Sequence, residues 1–260
     1  MTVPGGPVNT LKDALDRWFK PYAALWITLV LGGFVVVLLT VGGAEVYESV
    51  VEADGLAALD EPVLETAITL RSPGLDSAVT AFTNVGGTIG MPILALLLTA
   101  WLTFLSRSWR PLLLMVASAA VSLAATTAGK ILIGRARPDT ADAVPPYETS
   151  PSFPSGHTLN ATVLIGVLVY LICLQFHTRW IRITAITAGA AFIVGMGISR
   201  VFLGHHWLTD VVAAWLLGLA WVVVVIVAHR AFHMFRRRER SGPTPSFDRP
   251  IMRDRPASGE

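Results

Sequence analysis

Cysteine, lysine and charge of either sign are all scarce in this 260-residue chain. A single cysteine, Cys173, excludes an internal disulfide. It lies in the middle of an apolar run, which marks it as a packing residue rather than a reactive thiol. Lysine occurs only at Lys12, Lys20 and Lys130. The basic residues are otherwise arginine, and with abundant alanine, valine and glycine this bias points to a GC-rich bacterial genome. Charged residues make up 15% of the chain, against roughly a quarter in soluble domains. Hydrophobic residues reach 53% and the mean hydropathy is +0.60. So few polar groups cannot cover a globular surface, which leaves a bilayer as the solvent. The net charge of +2 says little by itself, because its distribution matters more than its sum.

A membrane helix needs roughly 20 mostly apolar residues. Charge-free runs occur at 21–44, 77–106, between Arg110 and Lys130, between His157 and His177, at 183–199 and at 211–228. The chain therefore reads as all-α, an integral membrane bundle of six transmembrane helices. Its expected parts are an N-terminus over 1–20, a six-helix domain over 21–234, and a tail over 235–260 that is first basic and then disordered. The first run is too long for a signal-peptide core and no cleavage site follows it, so it reads as a retained anchor.

Orientation follows from the arginines and lysines of the short loops. Lys12, Arg17 and Lys20, then Arg107 and Arg110, then Arg179 and Arg182, then Arg230 and Arg236 to Arg240 all fall on one side of a six-span chain. That side is expected to be cytoplasmic, with both termini there, in a bacterial inner membrane. The acidic segment 45–76 is then outside, where Leu56, Leu59, Val63 and Leu70 suggest a short interfacial helix. His177, His229 and His233 read as interfacial residues at the cytoplasmic ends. Lys130, Arg135 and Arg137 break the rule by lying outside.

The polar residues at span edges form three clusters at that same outer face. Lys130, Arg137 and Pro138 close the third span; a helix continued through them would put Lys130 and Arg137 on one face. Pro154, Ser155, Gly156 and His157 open the fourth. Ser199, Arg200, His206 and Asp210 join the fifth and sixth. This inventory suits a phosphoryl group. Arginine forks bind phosphate bidentately and lysine supplies a point charge. A helix start at Ser155 and Gly156 offers unpaired N–H groups to an anion. His206 and Asp210, four apart at the start of the sixth span, read as sharing one helical face. The carboxylate would then orient the imidazole, as in covalent catalysis. His157 supplies a second imidazole for proton transfer. No carboxylate cluster has magnesium spacing, so neither metal nor cofactor is expected. Asp139, Asp142 and Glu148 read as solvated loop carboxylates, Arg135 as a snorkelling span terminus, and His205 as a loop residue lining the pocket.

The three clusters resemble the phosphatidic acid phosphatase type 2 family of lipid phosphate phosphatases, whose pattern is K-x6-RP, PSGH and SR-x5-H-x3-D. All eleven specified positions are present in order, and the likeness spans residues 22–230. The resemblance implies metal-independent phosphatase action through a phosphohistidine on His206, with His157 as acid and base and Asp210 as orienter. It makes Lys130, Arg137, Pro138, Ser155, Gly156, Ser199 and Arg200 the phosphate-binding set. The expected partners are a lipid phosphate and the membrane, with no nucleic acid and no obligatory protein. Transfer of the phosphate to an acceptor lipid is the alternative reading. Vanadium haloperoxidases carry a similar motif set but are soluble. A transporter would place its charges near the bilayer midplane, not at one interface.

Overall fold

A computed structural model of the protein describes residues 23–239. The expected N-terminus 1–20 and the tail beyond Glu239 lie outside the described residues. Among those described, the elements are helical: α1 (Ala23–Glu52), a 3-10 turn (Gly55–Leu59), α2 (Asp60–Thr69), α3 (Pro73–Val85), α4 (Gly90–Ser106), α5 (Arg110–Ile133), α6 (Gly156–Gln175), α7 (Arg179–Phe202) and α8 (Leu208–Glu239). Five of these helices are long and apolar enough to cross a membrane, and the bent pair α3–α4 makes a sixth when counted as one span. The second expected span is thus not one straight helix. It bends by 50°, where turn hydrogen bonds from Gly86 to Thr83 and from Gly87 to Asn84 stop α3. Ser72 caps the other end of α3 by accepting the Leu75 N–H, with Pro73 at the first helical position.

Helix α6 is the hub of the bundle. Its inner residues Leu159, Val163 and Val167 are buried together with Met91 of α4, Met115 of α5, Met196 of α7 and Ala214 of α8. Lipid is as apolar as these side chains, so association rests on close packing and small residues rather than on escape from water. Ala161, Ala213 and Ala214, all fully buried, permit that approach. The outward side is apolar as well: Phe34 and Leu38 of α1, Leu113 of α5 and Ile186 of α7 are exposed, as lipid-facing residues must be.

The acidic segment does form the short helix expected of it, α2, but with a different side buried. Leu64 and Ala67 are covered, whereas Leu59 and Leu70 are exposed. Asp60, at the head of α2, is also buried. Helix α8 runs on past the expected end of the last span, through Arg236 to Glu239.

Candidate active site

The C-termini of α5 and α7 and the N-termini of α6 and α8 meet at one end of the bundle. This brings the three sequence clusters together. Two local expectations need correction. Helix α5 ends at Ile133, because Gly134 adopts φ +60° and its N–H returns to the Lys130 carbonyl. Lys130 and Arg137 therefore do not share a helical face. They converge on the loop instead: Lys130 Nζ donates to Ser150 Oγ (2.8 Å) and Arg137 Nε to the Ser150 carbonyl (2.7 Å). His206 likewise precedes α8 rather than riding on it. The chain leaves α7 through Gly204 (φ +72°), where a Cβ would lie 2.2 Å from the Asp142 carbonyl oxygen. The N–H groups of His205 and His206 both return to the Arg200 carbonyl, at 3.0 and 3.2 Å.

From that turn the His206 imidazole meets Asp210, one turn into α8, with Nδ1 3.3 Å from Oδ2. The same carboxylate oxygen accepts the Trp207 N–H at 3.0 Å and the Ser152 hydroxyl. With Nδ1–H donating to Asp210, Nε2 keeps its lone pair and lies 3.1 Å from Arg137 Nη1. Burial pushes the His206 imidazole down to about 3, against the pull of Asp210. It is therefore neutral at neutral pH, the form a nucleophile requires.

Around this imidazole stand the expected anion ligands. Arg137 also donates to the His205 carbonyl, which fixes its plane. Arg200 is buried to 2% exposure and is held by Thr83 (3.3 Å) and Glu148 (2.6 Å). Its Nε has no hydrogen-bond partner, an unusual state for a buried donor. Ser155 precedes α6 with its backbone N–H on the Asp210 carbonyl (3.2 Å) and its hydroxyl 2.9 Å from Thr158 Oγ1. Gly156 opens the helix beside it. His157 follows in the first turn, against the α3–α4 bend: a Cβ on Gly87 would lie 3.5 Å from its Nε2.

Pro138 and Ser199 stand differently. Pro138 is buried, and Ser199 Oγ donates to the Met196 carbonyl (2.7 Å) and to Thr83 Oγ1 (3.2 Å). Ser199 thus faces α3, where Thr83 Oγ1 also accepts from Arg200 Nη1.

Three residues outside the motif positions stand among these side chains. Glu148 is not a solvated loop carboxylate; it pairs with Arg200 (2.6 Å) and stands 3.8 Å from Arg137. Burial alone would raise its carboxyl, but the Arg200 and Arg137 cations outweigh that and hold it below the usual carboxylate range. Arg135 is not a snorkelling terminus; it lies 2.7 Å from Asp210 and 2.6 Å from Asp60. His205 is buried, and its Nε2–H donates to the Val144 carbonyl (2.7 Å), tying the loop between α5 and α6 to the turn that carries His206. Ser150 and Ser152 had no signal in the sequence, since their partners come from elements far along the chain. Arg135 had one, a cation on the side of the membrane where none was expected.

Comparison with known proteins follows the same lines. The PAP2 superfamily profile matches residues 93–234. Phosphatidylglycerophosphatase B of Bacillus subtilis (strain 168) is 31% identical over 193 residues, which cover 72% of this chain and 92% of that protein. An undecaprenyl-diphosphatase of Sulfolobus acidocaldarius is 30% identical over 128 residues, 48% of this chain and 57% of its own length. The crystal structure of a transmembrane PAP2 type phosphatidylglycerolphosphate phosphatase from Bacillus subtilis superposes with a TM-score of 0.63 at 27% identity, covering 82% of this chain and 96% of that one. With its profile spanning more than half of the sequence and its motif residues gathered at one end of a bundle of membrane-spanning helices, this chain belongs to the PAP2 superfamily.

Proposed function

We propose that the protein removes phosphate from lipid phosphates through a phosphohistidine on His206. One observation carries the reading: a neutral, buried imidazole, oriented by Asp210, turns its unprotonated Nε2 toward Arg137 (3.1 Å) beside a buried Arg200 with an unpartnered Nε–H. Phosphoryl transfer asks mainly for positioning and for charge on the equatorial oxygens to be stabilised. Lys130, Arg137 and Arg200, with the start of α6 at Gly156, supply that charge. His206 Nε2 attacks phosphorus, the P–O bond to the lipid breaks, and His157 gives its proton to the departing alkoxide. His157 then takes a proton from water, whose oxygen attacks phosphorus, and the P–N bond breaks to release inorganic phosphate and neutral His206. Every step uses side chains of the chain itself.

The likeness to phosphatidylglycerophosphatase B extends over 92% of that protein, and that to the undecaprenyl-diphosphatase over 57%. Phosphatidylglycerol phosphate is accordingly the first substrate in our reading, ahead of a polyprenyl diphosphate. A phosphate-release panel over phosphatidylglycerol phosphate, phosphatidic acid and polyprenyl diphosphate, in detergent, tests it. Failure to release phosphate from all three would end the proposal.

The distribution of arginine and lysine among the short loops supports an outward-facing site in this reading. On a Cys173→Ala background, Ala141→Cys is expected to react with a membrane-impermeant maleimide in intact cells. Trp109→Cys, at the other end of the bundle, is expected to react only after permeabilisation. Both positions are exposed, so the opposite pattern would invert the topology.

Glu148 provides a further check. Its carboxylate rests on the two guanidiniums assigned to phosphate, so an incoming anion competes with it. Glu148→Gln is expected to lower the inhibition constant of orthovanadate roughly tenfold, the worth of one charge-assisted contact. An unchanged or weaker inhibition would show that Glu148 holds Arg200 in place instead of competing for it.

A further inference from the structure

Arg135 falls between two motif positions, and no step of the proposed reaction uses it. Its guanidinium nevertheless closes a network around Asp210. Nη1 donates to Asp210 Oδ1 and to Thr209 Oγ1, both at 2.7 Å, and Nη2 donates to Asp60 Oδ2 at 2.6 Å. Asp60 in turn accepts the Thr209 N–H through Oδ1 (2.9 Å) and the Thr209 hydroxyl through Oδ2 (2.7 Å). The Asp60 and Asp210 side chains are 5% and 0% exposed, Arg135 16%. Two buried carboxylates this close repel one another and resist ionisation unless a cation stands between them. The fork geometry has a second consequence. With Oδ1 taken by Arg135, Oδ2 alone is left to His206, Ser152 and Trp207.

We propose that Arg135 is a positioning residue for the nucleophile. It keeps Asp210 ionised and turned with Oδ2 toward His206 Nδ1, and Asp60 of the outer helix α2 anchors it. The inference rests on the reading of His206 as nucleophile. A recess of about 300 Å³ bounded by Asp60, Glu61, Arg135 and Trp207 lies behind the guanidinium, which stands 5.7 Å over the Trp207 ring. Solvent therefore has a route to this position that does not pass through the phosphate site.

The test uses Arg135→Ala, Arg135→Lys and Asp60→Asn in the full chain in detergent. For Arg135→Ala, kcat is expected to fall about 100-fold with KM within about twofold, because the lost interaction serves the transition state rather than substrate binding. The acid limb of kcat/KM should move to higher pH, since removing a cation favours protonation of His206. His206 is also faced by Arg137, Arg200, Glu148 and His157, all unchanged in these variants. Methylguanidinium at low millimolar concentration, entering through the recess, should restore part of kcat. Arg135→Lys, which returns charge without the fork, should be intermediate. Wild-type kcat in Arg135→Ala, or a loss with an unmoved acid limb and no rescue, overturns the inference. Should Arg135→Ala fail to fold, Arg135→Gln removes the same charge and carries the same pH readout, while Asp60→Asn, which removes an anion, should move the acid limb the opposite way. Activity surviving in His206→Ala would instead bring down the nucleophile reading itself, so the two failures are separable.

Discussion

Replacement of His206 by alanine is expected to reduce phosphate release by a factor on the order of 10⁵ or more, to the level of an enzyme-free blank. Removing the nucleophile from a covalent mechanism costs as much as removing all its partners, since the group acts as a unit: about 10⁶ in the best-studied serine hydrolase. The variant should fold. His206 is buried, but Asp210 keeps Arg135, Ser152 and the Trp207 N–H as partners, so no buried charge is orphaned. Two readings settle the matter. Steady-state phosphate release is measured against phosphatidylglycerol phosphate, and the protein is quenched in alkali after mixing with substrate labelled in the scissile phosphate. Wild type should retain protein-bound label and His206→Ala none. Activity within about a hundredfold of wild type, far above what a missing nucleophile allows, would sink the mechanism.

Asp210→Asn should cost nearly as much while leaving the geometry almost untouched. The same charge-to-amide change in a serine-protease triad lowers kcat about 10⁴-fold through the wrong histidine tautomer. The physical situation here is parallel. Asp210 Oδ2 receives three donors, from His206, Ser152 and Trp207, and Oδ1 receives Arg135. An amide presents one oxygen and one NH₂ group in place of two oxygens. If the oxygen stays with Arg135, the NH₂ faces Nδ1 of His206 and makes it an acceptor, which moves the proton to Nε2 and blocks attack. If the amide flips, the NH₂ meets the Arg135 guanidinium without an acceptor. Both orientations lose catalysis, so kcat falls with KM little changed. A variant retaining a tenth of wild-type kcat would show that the carboxylate neither orients nor charges the imidazole.

How much of this was legible in the sequence differs from residue to residue. Helix identity was legible because a bilayer forces every backbone group to be satisfied within its own segment. Long charge-free runs therefore translate directly into spans. Even so, the run 77–106 is two helices meeting at 50°: a hydropathy pattern records where water is excluded, not the direction of the axis. The gathering of the candidate residues was legible too, because polar groups at span edges are few and the parity of the span count puts them at one end of the bundle. Glu148, Ser152 and Asp60 were not, since a carboxylate or hydroxyl in a polar loop looks the same whether it is solvated or folded inward.

The sequence by itself thus determined the helical, membrane-spanning class of the fold and the imidazoles, carboxylate and cations that gather at one end of the bundle. The reason is that transfer of polar groups into hydrocarbon is so costly that composition alone constrains the answer. Only the tertiary structure decided which atoms face one another. It bound Glu148 to Arg200, turned Ser199 away toward Thr83, and put Arg135 between Asp60 and Asp210. These pairings join residues 52 to 116 positions apart through ångström-scale hydrogen-bond geometry, and no local rule of spacing or propensity carries that information.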